Sequence, residues 1–421
     1  MKRPAMNITG RVLSILLISG LVTACGQAAA PPLEDDLDLR AMLQPLPGGV
    51  ITEPDSLVFR SPAVLEHDRY FVWGGSVIRG EDGRFHMFCS LFDADIRFSD
   101  SWLLSSRIAW AVSEYPDRGF VIQDILLAPA GESGNRDAWD ARTVHNPHVR
   151  RFGRQVYLYF IGSRDPGQPE PGEPGHETDL RNRVQLNQKI GVIKARSVQA
   201  LTLGEWERPA APLMGPRTRV APHTFDPSPE DTVPLPDNLI VVNPSIVRRP
   251  ADGAYLLYFK GNIYDPNWRG VHGVAIGDSP TGTFSALDPF LFETELPDGT
   301  VAKNAEDPFV WFDHRRRRFY AIVKDFTGLI GGERSCLVLF TSPEGIDWEP
   351  ARHPLVSRRR LIFEDGSEIE VQHLERPQLL LDRQGQPLVL YCACTPGNGY
   401  AVPGPTVNVQ ISLLGREPAP D

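Results

Sequence analysis

The sequence predicts an all-β chain folded as a five-bladed β-propeller, each blade a four-stranded antiparallel sheet. Three observations carry that expectation. A strand–tight turn–strand unit recurs five times along the chain. Four of the five copies open on a polar residue followed by proline. Proline and glycine are abundant, 39 and 37 of 421 residues, and proline stands at roughly twice its average usage. That composition favours many turns over long helices.

The copies align residue by residue. Asn146-Pro147-His148-Val149 leads to the turn at Gly153 and the run Val156-Tyr157-Leu158-Tyr159-Phe160-Ile161. Asn243-Pro244-Ser245-Ile246 leads to Gly253 and Tyr255-Leu256-Leu257-Tyr258-Phe259-Lys260. Asp307-Pro308-Phe309-Val310 leads to Arg318-Phe319-Tyr320-Ala321-Ile322-Val323-Lys324. Arg376-Pro377-Gln378-Leu379 leads to Gly385 and Leu388-Val389-Leu390-Tyr391-Cys392-Ala393. A weaker first copy runs Gly75-Ser76-Val77-Ile78, Gly83, Phe85-His86-Met87-Phe88-Cys89. The turns between the paired runs carry turn residues such as Glu81-Asp82-Gly83 and Ala251-Asp252-Gly253.

A third apolar run follows most copies, as at Ile108-Ala109-Trp110-Ala111-Val112 and Leu337-Val338-Leu339-Phe340. The period is wide, roughly 65–100 residues, compared with compact propeller repeats. The excess falls in loops such as 164–188 and 215–239. The last copy lacks a full set of later strands. Thr406-Val407-Asn408-Val409-Gln410-Ile411 is expected to supply one, and Leu57-Val58-Phe59 another from the N-terminal side. Such closure removes exposed strand edges. The repeated X-Pro start tells against a β-sandwich of unrelated hairpins.

The net charge of −10 disfavours a nucleic-acid partner, because phosphate binding needs a cationic surface. The run Arg315–Arg318 reads as a solvated turn. Arg358-Arg359-Arg360 is similar, though its place near the fifth copy allows contact with an anionic ligand.

The N-terminus carries Lys2 and Arg3, an apolar run over 12–22, and Val22-Thr23-Ala24-Cys25. The apolar run is short for a membrane span. The pattern resembles bacterial lipoprotein precursors, which implies a signal peptide over 1–24, a lipid on Cys25 and a place in the cell envelope. Residues 25–50 read as a flexible tether, and 51–421 as the propeller domain. Cys89, Cys336, Cys392 and Cys394 show no metal-ligand spacing and read as small buried residues.

In a propeller the innermost strands run parallel around a channel. The residues at the head of each copy therefore gather at one mouth of it: Trp73-Gly74-Gly75, His145-Asn146-Pro147, Val242-Asn243-Pro244, Glu306-Asp307-Pro308 and Glu375-Arg376-Pro377. Strand capping accounts for the asparagines. It accounts poorly for Glu306, Asp307 and Glu375, since clustered carboxylates repel. Paired carboxyl groups are what glycoside cleavage needs, one as proton donor and one to activate water or attack the anomeric carbon. Crowding is expected to raise one pKa, which suits an acid.

These heads resemble the five-bladed glycoside hydrolases of families 32, 43, 68 and 117. Those families place an Asp directly before Pro at a blade head, and the acid Glu two residues before Pro. The resemblance implies Glu375 as general acid and Asp307 as transition-state stabiliser or pKa modulator. It covers nearly all of 55–415, and includes Trp73-Gly74-Gly75-Ser76-Val77-Ile78, Thr143-Val144-His145-Asn146-Pro147, Ala305-Glu306-Asp307-Pro308 and Lys324-Asp325-Phe326. The chain departs from those families where they keep a base or nucleophile Asp. Gly75, Asn146 and Asn243 stand there instead. Glu306, Asp325, Asp93 and Asp95 remain as candidate bases. His145 is a candidate acid, by likeness to family 117, or a channel-lining residue.

Lys324, Asp325, Arg376, Asn146, Asn243 and Trp73 are expected to bind substrate. The resulting expectation is hydrolysis of oligosaccharides or polysaccharide ends. A non-catalytic glycan-binding lipoprotein is the alternative, and a uronic-sugar lyase using His145 with Lys324 or Arg376 a third. No redox cofactor or phosphate loop is evident. A structural divalent cation in the channel is allowed, without a ligand set that declares itself.

Overall fold

The computed structural model describes residues 36–52, 57–173, 175–217, 233–264, 268–303, 305–396 and 406–414. Five four-stranded antiparallel blades follow one another along the chain. Blade 1 is Tyr70–Arg79, Phe85–Asp93, Arg107–Ser113 and Val121–Leu127. Blade 2 is Thr143–Phe152, Gln155–Ser163, Lys189–Ala195 and Trp206–Glu207. Blade 3 is Val242–Arg248, Tyr255–Tyr264, Trp268–Gly277 and Phe284–Ala286. Blade 4 is Ala305–Asp313, Arg318–Asp325, Cys336–Ser342 and Glu349–Ser357. Blade 5 is Glu368–Leu381, Pro387–Pro396, Val407–Ser412 and the N-terminal Val64–Leu65, with Arg360–Ile362 on its inner edge.

The burial pattern explains why the sequence reads as near-continuous apolar runs. A blade packs a neighbour on each face, so its inner strands are buried on both sides. Phe71 to Val77 and His86 to Phe92 are buried without a break. The outermost strand of the same blade, Val121–Leu127, buries only its last residue. The core divides into one large cluster per blade interface. Val144, Leu158 and Ile193 pack on Phe88 and Ile108 between blades 1 and 2. Tyr159 and Ile190 meet Leu257 and Phe259 between blades 2 and 3. Tyr258 and Val274 meet Phe319 and Phe340 between blades 3 and 4. Trp311 and Leu339 meet Leu390 and Val409 between blades 4 and 5. Tyr391 and Val389 meet Val72 and Met87 between blades 5 and 1. Five interfaces for five blades means that the ring is closed.

Closure differs in detail from the sequence expectation. The C-terminal Val407–Ser412 is the third strand of blade 5, as expected. The outermost strand is Val64–Leu65, in register with Val409 and Asn408. Leu57–Arg60 instead pairs with Gly49–Thr52 in a separate two-stranded ribbon. The expected tether is also corrected for 36–50. Leu37, Leu39 and Leu46 are buried among Trp311, Tyr320, Leu361 and Phe363 on the flank of blades 4 and 5. Their apolar spacing, diluted by acidic and proline neighbours, escaped the composition argument. Residues 1–35, with the expected signal peptide and Cys25, lie outside the described residues. Among the described residues no helix is long and apolar enough to cross a membrane. Cys89, Cys336, Cys392 and Cys394 are buried and free.

The X-Pro dipeptides are not strand starts but β-bulges inside the innermost strands. In blade 2 His145 faces Ile161 and His148 faces Tyr159, so Asn146 and Pro147 together oppose one residue. The same two-against-one step occurs at Gly74-Gly75, Asn243-Pro244, Asp307-Pro308 and Arg376-Pro377. The first bulge residue is left-handed in every blade: Gly74 (φ 66), Asn146 (51), Asn243 (55), Asp307 (57) and Arg376 (53). A bulge frees one residue from the ladder and re-aims its side chain. Proline fits the second position because no ladder donor is needed there.

Candidate active site

The five bulges lie around the channel mouth, and the first residues of four of them are linked across blade boundaries. Asn146 Nδ2 donates to Asn243 Oδ1 at 2.9 Å, and Asn243 Nδ2 donates to Asp307 Oδ1 at 2.6 Å. The Arg376 backbone N–H donates to Asp307 Oδ2 at 3.1 Å, and its Nη1 to Asp307 Oδ1 at 3.3 Å. Asp307 is thus the acceptor on which the belt ends. It is buried, with the Asn243 amide and two Arg376 N–H groups aimed at it.

A second set of groups sits one step before each bulge: Trp73, His145, Val242, Glu306 and Glu375. Each strand register places a second-strand residue opposite, namely Ser90, Ile161, Lys260, Lys324 and Ala393. Two of these reach forward to the next blade. Lys260 of blade 3 pairs with Glu306 of blade 4, and Lys324 of blade 4 pairs with Glu375 of blade 5. Ser90 follows the same rule in blade 1, accepting the Asn146 N–H at 2.9 Å. The two Lys–Glu pairs are therefore one structural device used twice.

The pre-bulge and bulge residues open into a cavity of about 350 Å³. Its walls include Trp73, His145, Asn146, Asn243, Lys260, Asn262, Glu306, Asp307, Glu375 and Arg376. Two short helices add the outer wall, Phe98–Leu104 and Leu180–Leu186. Phe98 packs on Trp73 with ring centroids 5.0 Å apart, and the Arg181 guanidinium lies over the Trp102 ring. Asp179 caps the second helix through the Asn182 N–H at 2.8 Å. Arg183 ties that loop down with two bonds to Asp165 at 2.9 and 3.0 Å.

The protonation pattern departs from the expectation of a raised carboxyl. Burial pushes the Glu375 carboxyl up, but the Lys324 ammonium and then His373, whose Nδ1 lies 2.8 Å from Oε1, outweigh it. The net effect holds Glu375 at about 2. Glu375 is thus a carboxylate. His145 is neutral, because burial and then the Arg376 charge pull it to about 3. Its Nε2 lies 3.2 Å from the Gln188 amide nitrogen and its Nδ1 3.2 Å from the Thr143 hydroxyl. The amide nitrogen is a donor, so Nε2 accepts and Nδ1 carries the proton. Both ring nitrogens are hydrogen-bonded, and His145 lines the wall as a neutral residue.

Other expected residues fall outside the cavity. Asp325 is buried and accepts the N–H groups of Thr327, Gly328, Ile330 and Gly331, and the Thr327 hydroxyl. It organises its own turn. Lys324 stands behind Glu375, buried, off the cavity wall. Asp93 lies 3.9 Å from Arg107 at the rim, and Asp95 is exposed. Arg358, Arg359 and Arg360 face Glu333, Glu368 and Glu370 on the surface. Glu306 is the one base candidate of the four that lines the cavity.

Sequence reasoning missed Lys260, Asn262, His373, Gln188 and the two wall helices. Lys260 was within reach, since it occupies the same repeat register as Lys324. The helices lie in the long inter-strand loops and carried no repeat signal.

A structural cation does not fit the channel below. Arg150 of blade 2 crosses the axis to donate to the Val310 carbonyl of blade 4 at 3.2 Å, its guanidinium over Phe309. His148 of blade 2 reaches Gln378 of blade 5 at 3.0 Å and accepts the Ile246 N–H at 3.2 Å. Among the described residues, no group of three or more His, Cys, Asp or Glu is placed to hold a metal ion.

Fold and site together define a class: a closed five-bladed β-propeller with a carboxylate-lined cavity on its axis. No protein-family model and no curated protein matches the chain. Solved structures do. One described as a glycoside hydrolase is 10% identical, with 87% of this chain and 92% of that chain aligned at a TM-score of 0.52. A thermostable family-43 glycoside hydrolase is 11% identical, covering 82% and 90%, at 0.50. A family 117 glycoside hydrolase of the marine bacterium Zobellia galactanivorans is 13% identical, covering 88% and 90%, at 0.49. Likeness at this identity shows a shared fold.

Proposed function

We propose that the protein is a glycoside hydrolase that acts on oligosaccharides or polysaccharide ends held in the axial cavity. The observation that carries the reading is the convergence of Glu306, Asp307 and Glu375 on one cavity large enough for a sugar. The solved structures of the same fold are named as glycoside hydrolases, and that supports the reaction class.

The charge state of Glu375 favours a role that is the reverse of the one implied by resemblance. Glu375 is held ionised by Lys324 and His373, so it serves as the base. Glu306 then serves as the acid. Glu306 gives its proton to the leaving oxygen as the anomeric C–O bond breaks. Water attacks the anomeric carbon and loses a proton to Glu375. The products are a free reducing sugar and an alcohol, and each carboxyl then exchanges one proton with solvent. Asp307, fixed by Asn243 and Arg376, faces the sugar as a hydrogen-bond acceptor.

Glu306→Gln and Glu375→Gln should each lower turnover by about 10²–10⁴-fold while oligosaccharide binding is retained. Cleavage at wild-type rate in either variant would remove that residue from the mechanism.

One observation favours a second reading, a non-catalytic glycan binder. Glu306, Asp307 and Glu375 each have a cationic partner, an arrangement suited to a site that binds without reacting. Binding by the wild type without cleavage decides for it.

We also propose anchorage in the bacterial envelope through a lipid on Cys25. Lys2, Arg3, the apolar run and the small residues before Cys25 support it. Labelled palmitate should enter the wild type and not Cys25→Ala. Equal labelling would refute the anchor.

A further inference from the structure

The cations around the cavity are not equivalent. Arg376 is buried and spends its backbone N–H and a guanidinium N–H on Asp307. Arg181 is pinned to Asp100, to the Ser99 carbonyl and to Asn182 and Gln185. Lys324 is behind Glu375. Lys260 differs from all of them. It lines the cavity, its side chain is 19% exposed, and its hydrogen-bonded partner is Glu306, itself a cavity residue. An ammonium carries three donors, and Lys260 can turn them to a ligand without leaving its strand. Asn262, two residues further along the same strand, lines the same cavity.

We propose that Lys260 is the receptor for an anionic group on the sugar, a carboxylate or a sulfate ester, and that it reaches this group by exchanging Glu306 for it. The last step of the argument below rests on the glycosidase reading; the binding step does not.

A neutral hydroxyl cannot drive the exchange. Separating a part-buried ion pair leaves two under-solvated charges, and a hydroxyl returns only part of that loss. An anion offers the ammonium an equal, charge-assisted partner. Burial also makes the Lys260 ammonium dependent on a close anion. Burial pulls it down to about 8, Lys324 and Arg376 add to this, and Asp307 and Glu375 oppose it without restoring the usual value. A further anion beside it is therefore favourable.

The exchange changes Glu306. Without its cation, shielded by the bound sugar, and close to Asp307 and Glu375 as neighbouring acids of the same cavity, it is pushed toward its protonated form by desolvation and like charge. It takes one proton from solvent as the anion binds. That supplies the protonated acid that hydrolysis needs and that the Lys260–Glu306 pair withholds. The substrate's own charge arms the site.

The test uses the purified full-length protein and calorimetry. The probes are oligogalacturonate and oligoglucuronate, each against its carboxyl-reduced counterpart, and oligosaccharides of a sulfated galactan against the desulfated form. The charged member of one pair should bind at least about tenfold tighter, with affinity falling as salt rises. The pair that shows the preference identifies the anion. Lys260→Met should lose the preference while melting as a folded protein. Measured in two buffers of different ionisation enthalpy, wild-type binding should take up a proton, and Glu306→Gln should bind the anion more tightly with no uptake. Equal binding of the neutral counterparts by the wild type overturns the proposal. So does a preference that survives in folded Lys260→Met. Cleavage of a neutral oligosaccharide by the wild type as fast as its charged counterpart sinks this proposal and leaves the glycosidase reading standing. Lys260-dependent binding of a charged sugar with no turnover does the reverse.

Discussion

Arg376 sits at φ 53, a region that glycine enters freely and Asn or Asp with little penalty. The equivalent positions in the other blades use just those residues, Gly74, Asn146, Asn243 and Asp307. Arginine has no local reason to be there. Its conformation is held by the two bonds to Asp307, and such strain tends to collect at functional sites. Lys324 makes a stronger case for design at this scale. Removing one partner of a buried pair costs about 3–5 kcal/mol, so Lys324→Met should destabilise by that order in denaturant melts. The double variant Lys324→Met/Glu375→Gln should lose less than the sum of its singles. A loss below about 1 kcal/mol for Lys324→Met would mean that His373 alone holds the carboxylate. The acid limb follows from the same pair. Glu375 is depressed from 4.5 to about 2, so its stabilisation is complete above pH ~4.5 and fades as pH falls toward ~2. Glu375→Gln should flatten that part of the stability–pH curve. An unchanged curve would contradict the assigned charge.

The blade is the unit in which sequence and structure correspond best. A repeated bulge needs a residue tolerant of the left-handed region followed by one that donates no ladder bond, so Asn-Pro and Asp-Pro recur and the repeat is visible. The register also dictates which second-strand residue meets the next blade, and this makes Lys260 and Lys324 equivalent. What the repeat did not mark was harder to read. The wall helices belong to single loops, and the closing strand Val64–Leu65 is two residues long. The buried face of 36–50 rests on three leucines spaced among polar residues. That segment gives an element-scale prediction. Deleting 36–60 strips Leu37, Leu39, Leu46 and Phe59 from the flank of blades 4 and 5. Each buried side chain is worth about 1.5–3 kcal/mol, so the variant should melt well below the wild type and yield to protease sooner. A tether would be lost without effect, and an unchanged melt would restore that reading.

At the scale of the whole molecule, five interface cores close the ring, and closure brings residues from all five blades to one mouth. Glu306 and Glu375 are 69 positions apart in repeat register and become neighbours only because blades 4 and 5 are adjacent. Asp307 and Glu375, the two acids matched by resemblance, were legible because they head repeated units, with Glu306 among four candidate bases. Their charge states were not, because these depend on Lys260, Lys324 and His373, which meet the acids only in three dimensions. Crowding alone suggested a raised carboxyl, and Lys324 with His373 reverses that for Glu375. Cleavage and binding, measured side by side for the wild type, Glu306→Gln and Glu375→Gln on neutral, uronic and sulfated oligosaccharides, decide whether these carboxylates do chemistry. The account predicts that the wild type cleaves at least one of them, and that both variants bind it with turnover down about 10²–10⁴-fold. Binding by the wild type with no cleavage of any of them, or wild-type turnover in either variant, would contradict it.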